Sequence, residues 1–141
     1  VNDANNADWA DDTMATDSSS GNPISGHGDR TKPDLSAVGT SMVTSDLADG
    51  FSNRGSGTSY AAPGIVGMAA ALMQARPSLK TWPEQVRALM MTASGHNVEG
   101  NSRLSDVDGA GCINGLRASV VTPHKTLFDC AKPAGCYAML Q

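Results

Sequence analysis

The stretch Gly57-Thr58-Ser59-Tyr60-Ala61-Ala62-Pro63 has residue types and spacing that could do chemistry. Gly57 has no Cβ, so a second chain can approach its backbone closely. If Ser59 stands where a loop enters a helix, the free N–H groups and the helix dipole there favour developing negative charge. Its own N–H can then donate to the oxygen of a tetrahedral intermediate while its hydroxyl attacks a carbonyl. Ala61 and Ala62 keep the first turn slim beside a substrate. Pro63 falls so early that its missing N–H costs little. The chemistry this suits is acyl transfer to a nucleophilic serine. The plainer alternative is that Ser59 caps the helix, a position that serine favours.

Several elements must hold that serine. From Ser59 to about Gln74 the chain is rich in Ala, Met and Leu and carries no charge. A helix apolar all round is predicted to be buried, running through the centre of a domain. Upstream, Pro33 favours an extended chain around Lys32-Pro33-Asp34-Leu35. Ser41 to Leu47 reads as a short strand, with Asp49-Gly50 as a hairpin turn before Phe51. Gly55-Ser56-Gly57 then interrupts regular structure. Downstream, Thr81-Trp82-Pro83-Glu84 predicts a capping box with Thr81 as N-cap. Val86, Leu89, Met90 and Ala93 recur at helical spacing, and Gly95 is a plausible stop. Gly109 to Asn114 suggests a tight turn into a last short helix ending near Ala118.

Composition bounds the rest. A chain of 141 residues with 40% apolar residues suits one domain, although aromatics are only 4%. A net charge of −4 gives no basic footprint for nucleic acid. No apolar run approaches the roughly 20 residues of a membrane span. Val1 is preceded by neither Met nor a signal segment, which places the expected N-terminus elsewhere. Residues 1 to 31 read as polar loop, with Asp3, Asp8, Asp11, Asp12 and Asp17 solvated. A structural calcium is conceivable among their oxygens, but no spaced ligand motif supports one. Asp106-Val107-Asp108-Gly109 lacks a third spaced ligand and reads as a turn. Cys130 and Cys136 could close a small loop in an oxidising compartment; together with Cys112 they could equally be three free thiols.

These blocks resemble the subtilases, the subtilisin-like serine proteases. That family's serine motif reads Gly-Thr-Ser, one variable residue, then Ala-(Ala or Ser)-Pro, and it opens a long buried helix. Lys32-Pro33-Asp34-Leu35-Ser36-Ala37-Val38-Gly39 is similar to the family's upstream stretch, with Val38 where Pro is usual. Pro83 to Ala93 resembles its next helix, and Gly109 to Ala118 its closing helix start. Met14 to Gly21 resembles a substrate-side strand followed by a Ser-Ser turn, with Asp17 where an aromatic is common. The resemblance runs from about residue 13 to residue 119 in the family's order. It implies an α/β fold: the C-terminal portion of a three-layer domain of parallel sheet flanked by helices, incomplete in this chain. Residues 1–119 would be the end of the catalytic domain and 120–141 an extension of unknown role. It also implies a secreted or extracytoplasmic endopeptidase acting on polypeptides, with Ser59 as nucleophile.

A serine nucleophile needs a base and a group that orients the base. The family places its Asp, its His and its oxyanion-hole Asn ahead of the Ser, and none of those blocks occurs here. His27 lies in the polar stretch Gly26-His27-Gly28-Asp29, with no apolar helix to anchor it. His96 and His124 read as surface residues, and Asn22, Asn53 and Asn97 stand in no family motif. The expectation is that the rest of the catalytic domain lies upstream of Val1. Alone, the chain is then expected to expose helix 59–74 and fold poorly. A non-catalytic subtilase-like binding module is the competing reading. A serine esterase of the α/β-hydrolase kind fits less well, because Ala61 replaces the last Gly of Gly-x-Ser-x-Gly.

Overall fold

The computed structural model describes residues 1–4, 6, 8, 10–21, 32–47, 50–95, 105 and 107–121. Two strands, β1 (Met42–Ser45) and β2 (Phe51–Gly55), precede α1 (Thr58–Ala75). A 3-10 helix (Pro77–Thr81), α2 (Pro83–Ala93) and α3 (Gly115–Val121) follow. β1 and β2 form an antiparallel hairpin, with Met42 opposite Gly55 and Ser45 opposite Phe51. The Asp46 N–H donates to the Gly50 carbonyl at 2.9 Å and closes its end. The strand is shorter than the expected Ser41–Leu47, because Asp46 and Leu47 turn away into the connection.

Parallel pairing is present in a rudimentary form. Ser36 bridges Cys112 in parallel. Its N–H donates to the Gly111 carbonyl at 3.0 Å, and the Ile113 N–H donates to the Ser36 carbonyl at 2.9 Å. Alternate residues of an extended chain face opposite edges. On the other edge, the Val1 nitrogen donates to the Ala37 carbonyl at 2.8 Å. The Gly39 N–H donates back to the Val1 carbonyl at 3.0 Å. Residues 34–39 are thus the middle of three chain passes. Beyond these bridges, the sheet among the described residues is the two-stranded hairpin, not the three-layer arrangement. Met14 to Gly21 forms no strand either. One antiparallel bridge joins Asn2 to Thr13, and the Ser18 N–H donates to the Ala15 carbonyl at 3.1 Å in a turn.

The core sits where α2, α3 and the 3-10 helix meet the C-terminal half of α1. Leu72, Leu79, Val86, Leu89, Met90, Ala93 and Ala118 are buried there, flanked by Ile65, Met68, Met73 and Ile113. Leu79 and Leu89 are each 1% exposed, and each such side chain contributes about 1.5–3 kcal/mol. The stripe read from helical spacing in α2 is the stripe that is buried.

Two expectations are corrected. Thr81 does not cap α2; the N-cap is Trp82, with no side-chain cap bond. Thr81 is the last residue of the 3-10 helix, its hydroxyl donating to the Ser78 carbonyl at 2.9 Å, and Trp82 stands between it and the first turn of α2. The second concerns α1, of which only Leu72 is buried, while Val66 is 66% exposed. The helix has packing partners along one side only among the described residues. In this chain it lies open, as expected for the chain alone. α3 extends to Val121, past the expected end at Ala118 and across the 119/120 boundary. Its start is secured by Asn114, whose Oδ1 accepts the Arg117 N–H at 3.0 Å.

The polar loops satisfy themselves. Asn6 Nδ2 donates to Asp11 Oδ2 at 2.7 Å, and Asp8 Oδ1 accepts the Ala10 N–H at 3.0 Å. Ser105 and Gly109 pair across the expected turn, with Ser105 bonded to the buried Asp108 inside it. Among the described residues, no three His, Cys, Asp or Glu side chains gather as a metal site. Among the described residues Cys112 is buried and free, and burial pushes its thiol up from the ordinary value. Cys130, Cys136 and the segment beyond Val121 lie outside the described residues.

Asp34 ties the middle pass to α2. It accepts hydrogen bonds from Lys32 Nζ at 2.7 Å and from Arg87 Nη2. Partial burial alone would raise its carboxyl, but the hydrogen bonds and charges of Lys32 and Arg87 outweigh burial and hold it below 3.8. A carboxyl depressed on folding stabilises the protein above its unfolded value. That contribution is lost as pH falls through the lowered folded value. Asp34→Asn is therefore expected to lower Tm at pH 7, with the gap to wild type closing below about pH 3.8. Thermal melts across pH 2–7 check this; a gap constant over that range contradicts it.

Candidate active site

Ser59 is the second residue of α1 and is exposed. The N-cap is Gly57, at φ 141°, a region that L side chains rarely adopt, and no side chain caps the helix. Ser59 therefore does not serve as the N-cap, so the plainer alternative does not account for it. Among the described residues, its hydroxyl has no hydrogen-bond partner. The Gly57 carbonyl accepts the Tyr60 N–H at 3.0 Å and the Ala61 N–H at 3.3 Å. The Thr58 and Ser59 N–H groups have no backbone acceptor among the described residues. They are the unsatisfied donors of a helix start. No acidic residue occupies that first turn to compete with an anion.

Three contacts fix the approach to this serine. The Gly57 N–H donates to the Gly39 carbonyl at 2.8 Å, joining the helix start to the end of the middle pass. The Ser41 N–H donates to Ser56 Oγ at 2.9 Å. The Tyr60 ring lies against Gly55, where a Cβ would overlap it. A cleft of about 190 Å³ opens beside the first turn, between Gly57, Thr58, Ala61 and Ala62 on one wall and Met14, Ala15, Asp17 and Ser18 on the other. Asp17 lines this cleft, whose exposed surface is nonetheless mainly apolar.

This arrangement can present a hydroxyl and an adjacent backbone N–H to one carbonyl group. Proton transfer requires a base, and none of the three histidines, His27, His96 and His124, is among the described residues. Asn22 and Asn97 lie outside them as well. Asn53 falls on β2, in the strand that leads to the helix. The sequence places Ser59 at a helix start, as the structure has it, and offers Tyr60 and the segment near Gly55 as cleft lining or inward packing without pairing the two. The only signal was the absence of a side chain at the strand's end.

The structure is similar to that of the Clostridium perfringens CspB protease, with a TM-score of 0.59 and 24% identity. The similarity covers 67% of this chain and 21% of that one, so the chain spans about a fifth of the protease's length. At that identity the likeness bears on the fold. No curated protein matches the chain significantly. The model of the subtilase family matches residues 1–111, which hold the middle pass, the hairpin, the serine motif and α2. The chain belongs to the subtilase family, a family of serine proteases.

Proposed function

We propose that this chain supplies the nucleophile of a serine endopeptidase, with Ser59 attacking the scissile carbonyl of a polypeptide. The observation that carries this reading is the pairing of an exposed, uncapped Ser59 hydroxyl with an unsatisfied N–H on the same residue. The hydroxyl forms the acyl-enzyme as the peptide C–N bond breaks, and water then hydrolyses the ester. The Ser59 N–H stabilises the oxyanion in both steps. The base, its orienting Asp and a side-chain oxyanion donor come from residues upstream of Val1. The open side of α1 supports this, because an apolar helix needs cover. Residues 1–119 then form the end of the catalytic domain, acting in a secreted or extracytoplasmic setting. Residues 120–141 extend from it.

The test is to read the frame upstream of the Val1 codon and express the extended polypeptide. An Asp block, a His-Gly-Thr block and hydrolysis of an unfolded protein substrate are expected. An upstream region without the His, together with no hydrolysis, would leave the binding-module reading in its place.

A further inference from the structure

We infer that Tyr60 is a positioning residue for the Ser59 nucleophile, acting through the ring contact that Gly55 makes possible. This inference rests on the reading of Ser59 as nucleophile. Gly55 ends β2 and is buried, and Tyr60 stands in the first turn of α1, next to Ser59. An ideal Cβ on Gly55 would overlap the Cδ1, Cε1 and Cζ atoms of the Tyr60 ring. The glycine is therefore a socket, and the ring fills it.

The consequence lies in what the contact spans. Between Gly55 and Tyr60 the chain leaves a strand, turns at Ser56 and Gly57, and enters a helix. Ser56 is held by the Ser41 N–H and Gly57 by the Gly39 carbonyl. Those two bonds fix the upstream side of the turn. On the downstream side, the side chain of Ser59 is exposed and meets no described partner that could hold it. Tyr60 fastens that side back onto the hairpin and so closes a short loop around the nucleophile. Near-attack geometry is sensitive to displacements of about 1 Å, which can cost on the order of a hundredfold in rate. The atoms that meet Gly55 are the ring carbons Cδ1, Cε1 and Cζ, so the contact needs the aromatic ring rather than the phenolic hydroxyl.

The experiment uses the extended polypeptide carrying the upstream Asp and His, with kcat normalised to active sites titrated by a fluorophosphonate. Tyr60→Ala and Gly55→Ala are each expected to lower kcat about tenfold, with KM changed less than about twofold. Tyr60→Phe is expected to keep kcat within about twofold of wild type, because the ring remains. The double variant should lose no more than either single one, because both break the same contact. A Tyr60→Ala protein with unchanged kcat per titrated site overturns the inference, and so do losses that multiply in the double variant. If the unaltered polypeptide shows no Ser59-dependent hydrolysis, the reading of Ser59 itself fails, and that result is distinguishable from the others.

Discussion

Ser59→Ala is expected to lower kcat on a polypeptide substrate by about 10⁶-fold, the magnitude reported for the nucleophile of subtilisin rather than one derived from this chain. The reasoning is specific to the position. On the proposed reading the Ser59 hydroxyl forms the acyl-enzyme, whereas the Ser59 N–H survives the substitution. Substrate binding should therefore change little while turnover collapses. The fold should not notice. Ser59 is exposed, does not cap the helix, and its hydroxyl has no partner among the described residues, so stability should stay within the range of a neutral surface change, about 0.5 kcal/mol, and Tm should barely move. Steady-state kinetics and a thermal melt on the extended polypeptide measure both. A large fall in Tm would mean that Ser59 has a structural role. Retained turnover would remove it from the chemistry.

The largest expected effect on stability lies far from the serine in sequence. Gly109 sits at φ 66°, and a Cβ there would stand 2.5 Å from the carbonyl carbon and oxygen of Asp34 and from the carbonyl oxygen of Pro33. The obstructing atoms are backbone, so they cannot swing aside as a side-chain tip would. The left-handed conformation costs an L residue roughly 1–2 kcal/mol, and overpacking adds roughly 1–3. Gly109→Ala is thus expected to destabilise by about 3–4 kcal/mol and to lower Tm by about 10 °C. The displaced bond is the one from the Ala110 N–H to the Asp34 carbonyl at 2.9 Å, which begins the parallel pairing of residues 34–36 with 110–113. Gly21 is a useful control. It has φ 102° with nothing among the described residues within 4 Å of an added Cβ, so Gly21→Ala should show the strain without the overlap. Equal losses at the two positions would refute the packing argument.

The local parts of this structure were legible in the sequence, and the reason is periodicity. Val86, Leu89, Met90 and Ala93 share one helical face, so spacing alone identifies them as core. The hairpin before Phe51 was likewise signalled by its turn residues. Thr81 was misread because a capping-box pattern cannot show that the residue already belongs to a preceding 3-10 helix. Five residues are too few for a 3-10 helix to leave a periodic trace. α1 lies open in this chain, as expected for the chain alone, although its composition reads as buried. Composition shows that a helix is apolar on every side, but not whether each side has a neighbour. The bridge between Ser36 and Cys112 spans 76 residues and has no local signature. At the site, the motif around Ser59 was readable because helix starts restrict residue types strongly. The Tyr60–Gly55 contact was not, because it depends on the path of the chain from strand to helix.

The most direct measurement is covalent labelling of the extended polypeptide with a fluorophosphonate, followed by tryptic mapping. Cleavage after Arg54 and Lys80 gives a peptide of residues 55–80, and fragmentation separates Ser59 from Ser56 and Ser78. The account predicts one adduct, on Ser59, formed with loss of hydrolytic activity and absent from Ser59→Ala. An active protein that leaves Ser59 unmodified, or carries its adduct on another serine, would contradict it.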